Sequence, residues 1–144
     1  MIYIYTDCSV NPQTKKGIGS YIITNNLDVR ERDIVDLYLE NVTSTLGELL
    51  TIKHILNNYI FDENDKIYLY TDCKTFLDLI KRRQYENHII NHKNYQLYTE
   101  LINLVNKYGI NIVWLKGHAS QKNNIHERIF SIVDKHCRNI LRHN

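Results

Sequence analysis

Proline and glycine are scarce in this chain. One proline, Pro12, and five glycines among 144 residues leave no stretch rich in chain breakers. Hydrophobic residues make up 43 % and charged residues 24 %, a balance that excludes an intrinsically disordered chain and fits a packed globular one. The size suits one domain, expected to span residues 1–144. Long apolar runs are missing too. None approaches the roughly 20 residues of a membrane-spanning helix, so no membrane partner is expected. The first residues run directly into a strand pattern with an acid at position 7, which does not read as a secretory leader. Only three cysteines occur, Cys8, Cys73 and Cys137. Their odd number and the lack of a Cys-x-x-Cys pair argue against a disulfide framework. They read as buried thiols in a reducing intracellular compartment such as the cytoplasm. Net charge is small, +2 with a pI near 8.4. It permits a polyanionic partner without requiring one.

What the chain does have is one short stretch written twice. Ile2-Tyr3-Ile4-Tyr5-Thr6-Asp7-Cys8 returns as Ile67-Tyr68-Leu69-Tyr70-Thr71-Asp72-Cys73. Each is rich in β-branched and aromatic residues and ends in an acid, the pattern of a buried strand. Further strands and a helix lie between them, so the two can pair in parallel. In-register pairing would bring Asp7 and Asp72 to neighbouring carboxyl ends of a sheet, where open α/β folds keep ligands. Carboxylates one strand spacing apart, roughly 5 Å, repel unless protonated or bridged by a cation. Magnesium favours such an all-oxygen site. The plainer alternative is that each aspartate ends its strand and caps a helix.

The rest of the order follows from local pattern. Gly17–Thr24 and Asp33–Glu40 read as strands joined by short turns, an antiparallel meander with the first strand. Thr43 or Ser44 can cap a helix reaching about Tyr59, with Glu48 in its early turns. A strand over Lys66–Thr71 is followed by a short helix with Phe76, Leu77 and Ile80 inward. Next come a helix from about Asn94 to Lys107 ended by Gly109, a strand over Ile110–Leu115, and a last helix over roughly Ile125–Leu141. That last helix would bury Ile129, Ile132, Val133, Cys137 and Ile140, and it contains Asp134.

In this order the chain resembles type 1 ribonuclease H over nearly its whole length. Thr6-Asp7-Cys8-Ser9 resembles the family's Thr-Asp-Gly-Ser, Asn11-Pro12 its Asn-Pro turn, and Gly17-x-Gly19 its second-strand glycines. Thr43-x-x-x-Gly47-Glu48-Leu49 is similar to the helix bearing the second acid, and Thr71-Asp72-Cys73 to Thr-Asp-Ser. Trp114-Leu115-Lys116-Gly117-His118-Ala119 resembles Trp-Val-Lys-Gly-His-Ala, the most specific piece. Val133-Asp134-Lys135 resembles the Ala-Asp of the last helix.

The resemblance implies a ribonuclease H-like α/β fold. Its five-stranded mixed sheet would have strands one to three antiparallel and strands four and five parallel to the first, with helices on its flanks. It implies a metal-dependent endoribonuclease that hydrolyses the RNA strand of RNA/DNA hybrids to 5′-phosphate and 3′-hydroxyl ends. Two magnesium ions about 4 Å apart would act together, with manganese a possible substitute. Asp7, Glu48, Asp72 and Asp134 would hold them, with Asp7 the candidate bridge, and four carboxylates balance two divalent charges. His118 matches the mobile histidine that helps position water or release product. A neutral imidazole near physiological pH suits proton transfer; an isolated exposed histidine is the bland alternative.

Hybrid contacts fall to Asn11 and Thr43 as backbone or phosphate candidates, and to Lys15 and Lys16. Lys81, Arg82 and Arg83 form a basic run, with His88, His92 and Lys93 beyond it. With no room for a separate hybrid-binding domain, these side chains would supply the affinity, in a monomer, unless a partner does. RNA would be distinguished by its 2′-hydroxyls.

Several positions depart from the family pattern. Cys8 replaces a glycine that runs close to the RNA. Ser44 and Thr45 stand where many relatives carry asparagines, and Lys74 where glutamine is common. The segment from His118 to Asp134 is long, which makes Glu127 a rival for the fourth acid; Asp134 is favoured by its Ala-Asp-like setting. His126-Glu127 lacks the second histidine of a zinc-protease motif. A DNA nuclease or junction resolvase of the same superfamily and a non-catalytic nucleic-acid-binding module are the competing readings. The Lys-Gly-His-Ala loop argues against the first. The four retained acids argue against the second, because clustered carboxylates without a cation repel one another and phosphate.

Overall fold

The computed structural model describes residues 1–81, 94–116 and 124–143. In it the repeated stretches are paired as their likeness demands. Strand β1 (Ile2–Val10) runs parallel to β4 (Ile67–Thr71), with Ile2, Tyr3, Ile4 and Tyr5 opposite Ile67, Tyr68, Leu69 and Tyr70. β2 (Gly17–Thr24) and β3 (Val35–Leu39) continue the sheet antiparallel on one side, and β5 (Asn111–Trp114) extends it in parallel on the other. The five-stranded order is β3-β2-β1-β4-β5. Among the described residues four helices flank it: α1 (Ser44–Asn58), α2 (Lys74–Lys81), α3 (Tyr95–Tyr108) and α4 (Ile125–Arg142).

Alternation along β1 and β4 sorts side chains to two faces. Ile4, Ile67 and Leu69 join Leu49, Ile52, Ile55 and Leu56 of α1, Phe76 of α2, and Leu101 and Val105 of α3 in one core. Burying each of these large side chains is worth about 1.5–3 kcal/mol. On the other face Tyr5 and Tyr70 pack with Ile22 and with Ile129, Phe130 and Val133 of α4. In-register pairing also stacks like on like. The Tyr5 and Tyr70 rings lie 4.9 Å apart and nearly parallel, and His126 stacks on Tyr70 at 4.5 Å, with its Nδ1 2.7 Å from the Tyr5 hydroxyl.

Several boundaries differ from expectation. β1 does not end near Asp7; it continues to Val10 because β2 pairs with it as far as Gly17. β3 begins two residues late. Asp33 belongs instead to a 3-10 turn (Glu31–Asp33), where its carboxylate accepts the Arg30 amide at 2.8 Å. In α2 Leu79 and Ile80 pack on the core beside Phe76, while Leu77 is half-buried. In α4 Phe130 joins Ile129, Val133 and Cys137 inside, while Ile132 and Ile140 are half-buried. The three cysteines are free thiols, Cys73 and Cys137 buried and Cys8 half-buried.

Candidate active site

The acids meet where β1 and β4 part. β4 stops at Thr71, whose carbonyl accepts the Leu115 amide at 2.8 Å and whose hydroxyl accepts the Cys73 amide at 3.0 Å. Asp72 follows at this turn. β1 runs on, carrying Asp7, only 3 % exposed, with the Cys8 amide donating to its Oδ1 at 2.9 Å.

α1 delivers Glu48. Thr43 caps the helix, its hydroxyl accepting the Leu46 amide at 3.2 Å. Two glycines let α1 close on the sheet. A Cβ on Gly47 would fall 2.7 Å from Cys8 Sγ, and one on Gly19 would fall 2.1 Å from Thr51 Oγ1. Glu48 follows Gly47 and is 8 % exposed.

α4 delivers Asp134. Arg138, one turn on, donates to its Oδ2 at 3.0 Å, and the Cys137 thiol donates to its backbone carbonyl at 3.2 Å. Sequence reasoning missed Arg138, although the i,i+4 spacing from an acid was the available signal. Glu127, the rival acid, lies in the first turn of α4. Asn124 caps that helix by accepting the Glu127 amide at 2.9 Å, and its own side-chain amide donates to Glu127 Oε1 at 3.2 Å.

Among the described residues two groups of donor atoms result, each with its atoms within 4.8 Å of one another: Asp7 with Glu48 and Asp72, and Asp7 with Asp134 and Cys137. Asp7 belongs to both. Burial first, then the charges of Glu48 and Asp72, push the Asp7 carboxyl well above the usual range. Glu48 is likewise pushed up, by burial and then by Asp72. Glu48 Oε2 is buried with no hydrogen-bond partner among the described residues.

Hard oxygen donors, mutual repulsion and an orphaned carboxylate oxygen are what a divalent cation relieves. Cys137 fits such an ion less well. Its thiol is soft, and burial followed by the Asp7 and Asp134 charges pushes its pKa up. The carboxylates therefore suit a hard divalent cation.

Some of the expected hybrid contacts fall on described residues. Asn11, Lys15 and Lys16 form the β1–β2 turn, where the Asn11 side-chain oxygen accepts the Gln13 and Thr14 amides at 2.9 and 3.3 Å. The Val42 amide donates to the Lys15 carbonyl at 3.0 Å, which ties this turn to the start of α1. There Thr43, Ser44 and Thr45 are exposed, as are Lys74 and Lys81 on α2. Arg82, Arg83, His88, His92, Lys93 and His118 lie outside the described residues.

A mixed sheet in this order, with acids from β1, the end of β4 and two helices converging beside its central strand, is the ribonuclease H-like architecture. The solved structure of prototype foamy virus protease-reverse transcriptase shares it, with a TM-score of 0.74 at 15 % identity. That match takes in 96 % of this chain but only 20 % of the viral chain.

The ribonuclease H family model matches residues 1–129. Ribonuclease H of Rippkaea orientalis (strain PCC 8801 / RF-1) is 31 % identical over 143 residues, covering 85 % of this chain and 78 % of that protein. The chain belongs to the ribonuclease H family and is a hydrolase of that class. The family generally uses divalent metals, and the acidic group here can hold one. The family match stops before Asp134, so the fourth acid rests on the Ala-Asp-like setting in the sequence and on its place beside Asp7. Among the described residues no helix is long and apolar enough to cross a membrane.

Proposed function

We propose that this protein cuts the RNA strand of RNA/DNA hybrids internally by hydrolysis, leaving 5′-phosphate and 3′-hydroxyl ends. Asp7, Glu48, Asp72 and Asp134 would hold two magnesium ions, or manganese in their place. The observation that carries the reading is the pair of donor groups sharing Asp7, beside the orphaned Glu48 oxygen. When bound, such ions activate an attacking water and stabilise the leaving oxygen.

The chain's own residues do the rest. Asp7, Glu48 and Asp72, held by β1, α1 and the turn after β4, keep the donor set in place before substrate arrives. His118 carries a proton near the reacting phosphate or helps product leave. Asn11 and Thr43 hold the backbone. With the Asn11 side-chain oxygen engaged in its turn, an external contact would fall to its amide nitrogen. Lys15, Lys16, Lys74, Lys81, Arg82 and Arg83 offset phosphate charge. Ser44 and Thr45 face the minor groove, where 2′-hydroxyls mark the RNA strand.

The test is incubation with end-labelled hybrid, duplex RNA and duplex DNA, with magnesium, with manganese and with chelator. Metal-dependent cleavage confined to the RNA of the hybrid is expected. Cleavage of duplex DNA instead would make the protein a DNA nuclease of this fold. Hybrid binding without any cleavage would make it a binding module.

A further inference from the structure

His136 is held on both sides. Its Nδ1 lies 3.0 Å from Glu31 Oε1 and its Nε2 3.0 Å from both carboxylate oxygens of Asp36. The imidazole is 14 % exposed. With carboxylate oxygens at hydrogen-bond distance from both nitrogens, the ring is clamped from both edges. The carboxylates sit on opposite ring nitrogens, so they cannot join one histidine nitrogen around a single cation.

The clamp connects what Asp134 needs connected. His136 lies two residues beyond Asp134 in α4, Asp36 lies in the edge strand β3, and Glu31 lies in the turn before it. Asp36 is itself braced, since the Ser20 hydroxyl donates to its Oδ1 at 2.7 Å. Ser20 is fully buried, and it is the register partner of Asp36 on one side and of Asp7 on the other. One row of neighbours, Asp36–Ser20–Asp7, thus crosses three strands. α4 reaches both of its ends, with His136 at Asp36 and Asp134 at Asp7.

We propose that Asp36 and His136, braced by Ser20 and Glu31, are positioning residues that set where Asp134 stands relative to Asp7, and so tune the affinity of the carboxylate cluster for divalent metal. This rests on reading Asp7 and Asp134 as ligands. The apolar stripe of α4 cannot set that position alone, because apolar contact is non-directional and small rolls or slides of a helix cost little. A ring gripped from both edges by carboxylates is directional. A metal site needs its ligands placed to within about 0.5 Å.

His136→Gln and Asp36→Asn remove the ion pair with little change in volume. The readout is magnesium binding without substrate, by calorimetry and by the fluorescence of Trp114. Trp114 is the chain's single tryptophan, and its indole N–H donates to the Asp72 carbonyl at 3.2 Å. Magnesium affinity should fall roughly tenfold in both variants, the lower end for outer partners of metal ligands. KM for hybrid and kcat at saturating magnesium should change little. Glu31→Gln, on the exposed arm, should shift affinity less.

Asp36→Glu keeps the charge but changes its reach, and it covers the case in which the other variants fail to fold. It should also weaken magnesium binding. Folded variants with a lowered melting temperature and wild-type magnesium affinity would overturn the proposal and leave the clamp a structural ion pair. If magnesium binding by the parent chain survives Asp7→Asn, it is the reading of the metal site that has failed, not the clamp.

Discussion

Glu48 and Asp134 approach the same strand from opposite faces of the sheet, and the two faces hold them differently. α1 grips by shape. Leu49, Ile52, Ile55 and Leu56 are buried in the core shared with α2 and α3, and the helix comes down on the sheet with its Gly47 against Cys8 and its Thr51 against Gly19. Glu48 arrives buried, with one oxygen unpaired. α4 grips by shape and by charge. Behind Ile129, Phe130 and Val133 stand the stacked His126, the His136 clamp and the Arg138–Asp134 pair. Asp134 arrives 20 % exposed and already partnered by a cation. A dry apolar grip leaves a carboxylate that needs a cation. A polar grip supplies one and keeps the carboxylate nearer water.

The largest effect should come from the residue common to both groups. Asp7→Asn removes a charge and almost no volume. Cleavage of hybrid should be lost, while metal-free protein should melt higher at neutral pH. The sign follows from linkage. Asp7 and Glu48 carboxyls raised by burial and by their neighbours bind more protons folded than unfolded. Metal-free stability should therefore be greatest below the ordinary carboxylate range and decline as pH rises through the raised folded values. Asp7→Asn should flatten that decline, as should magnesium in the parent. Thermal melts across pH, with chelator and with magnesium, measure both. Strong magnesium-dependent cleavage by Asp7→Asn would remove it from the site.

Next in size is the contrast within α4. Asp134→Asn should lower activity by orders of magnitude. Glu127→Gln should cost far less, because that carboxylate serves the helix cap with Asn124. A lost cap is worth about 1 kcal/mol of stability. Rates at several magnesium concentrations, side by side, decide between them. A larger loss for Glu127→Gln would move the fourth ligand.

The apolar grip is tested by Gly19→Ala. Its Cβ would fall 2.1 Å from Thr51 Oγ1 and 3.0 Å from Thr51 Cβ. Overpacking of this kind costs about 1–3 kcal/mol. Denaturant unfolding should show that loss, with part of it recovered in Gly19→Ala/Thr51→Ala. Additive losses in the double variant would mean that the two residues do not press on each other.

The smallest effect is expected of the basic run that starts at Lys81, the last residue of α2. Replacing Lys81, Arg82 and Arg83 together by Ala should weaken hybrid binding and flatten its salt dependence through fewer released counterions. Turnover at saturating hybrid should change little. An unchanged salt slope would reduce the run to a solvated helix end.

Much of this was legible in the residues themselves. The doubled Ile-Tyr-x-Tyr-Thr-Asp-Cys stretch named the central parallel pair and its register, because buried strands advertise their faces by alternation. The doubled stretch placed Asp7 and Asp72 side by side, and the resemblance to ribonuclease H added Glu48 and Asp134 to a cluster that the fold gathers. The family pattern strengthened each of these readings. The misses were local boundaries and polar partners. The Asp33 turn, Phe130 facing inward, and the continuation of β1 past Asp7 all depend on what neighbouring elements offer.

The sequence by itself determined the order of elements, the parallel pairing at the centre, and the meeting of Asp7 with Asp72, since periodicity and a repeated motif are properties of the chain alone. Only the tertiary structure decided that Asp7 sits where two strands diverge, that Glu127 closes a cap while Asp134 meets Asp7, and that His136 joins Asp36 and Glu31. The meeting of Asp134 with Asp7 and the His136 clamp depend on contacts between residues 100 and more positions apart. No local pattern encodes them, because it is packing two helices on opposite faces of one sheet that brings such residues within hydrogen-bond reach.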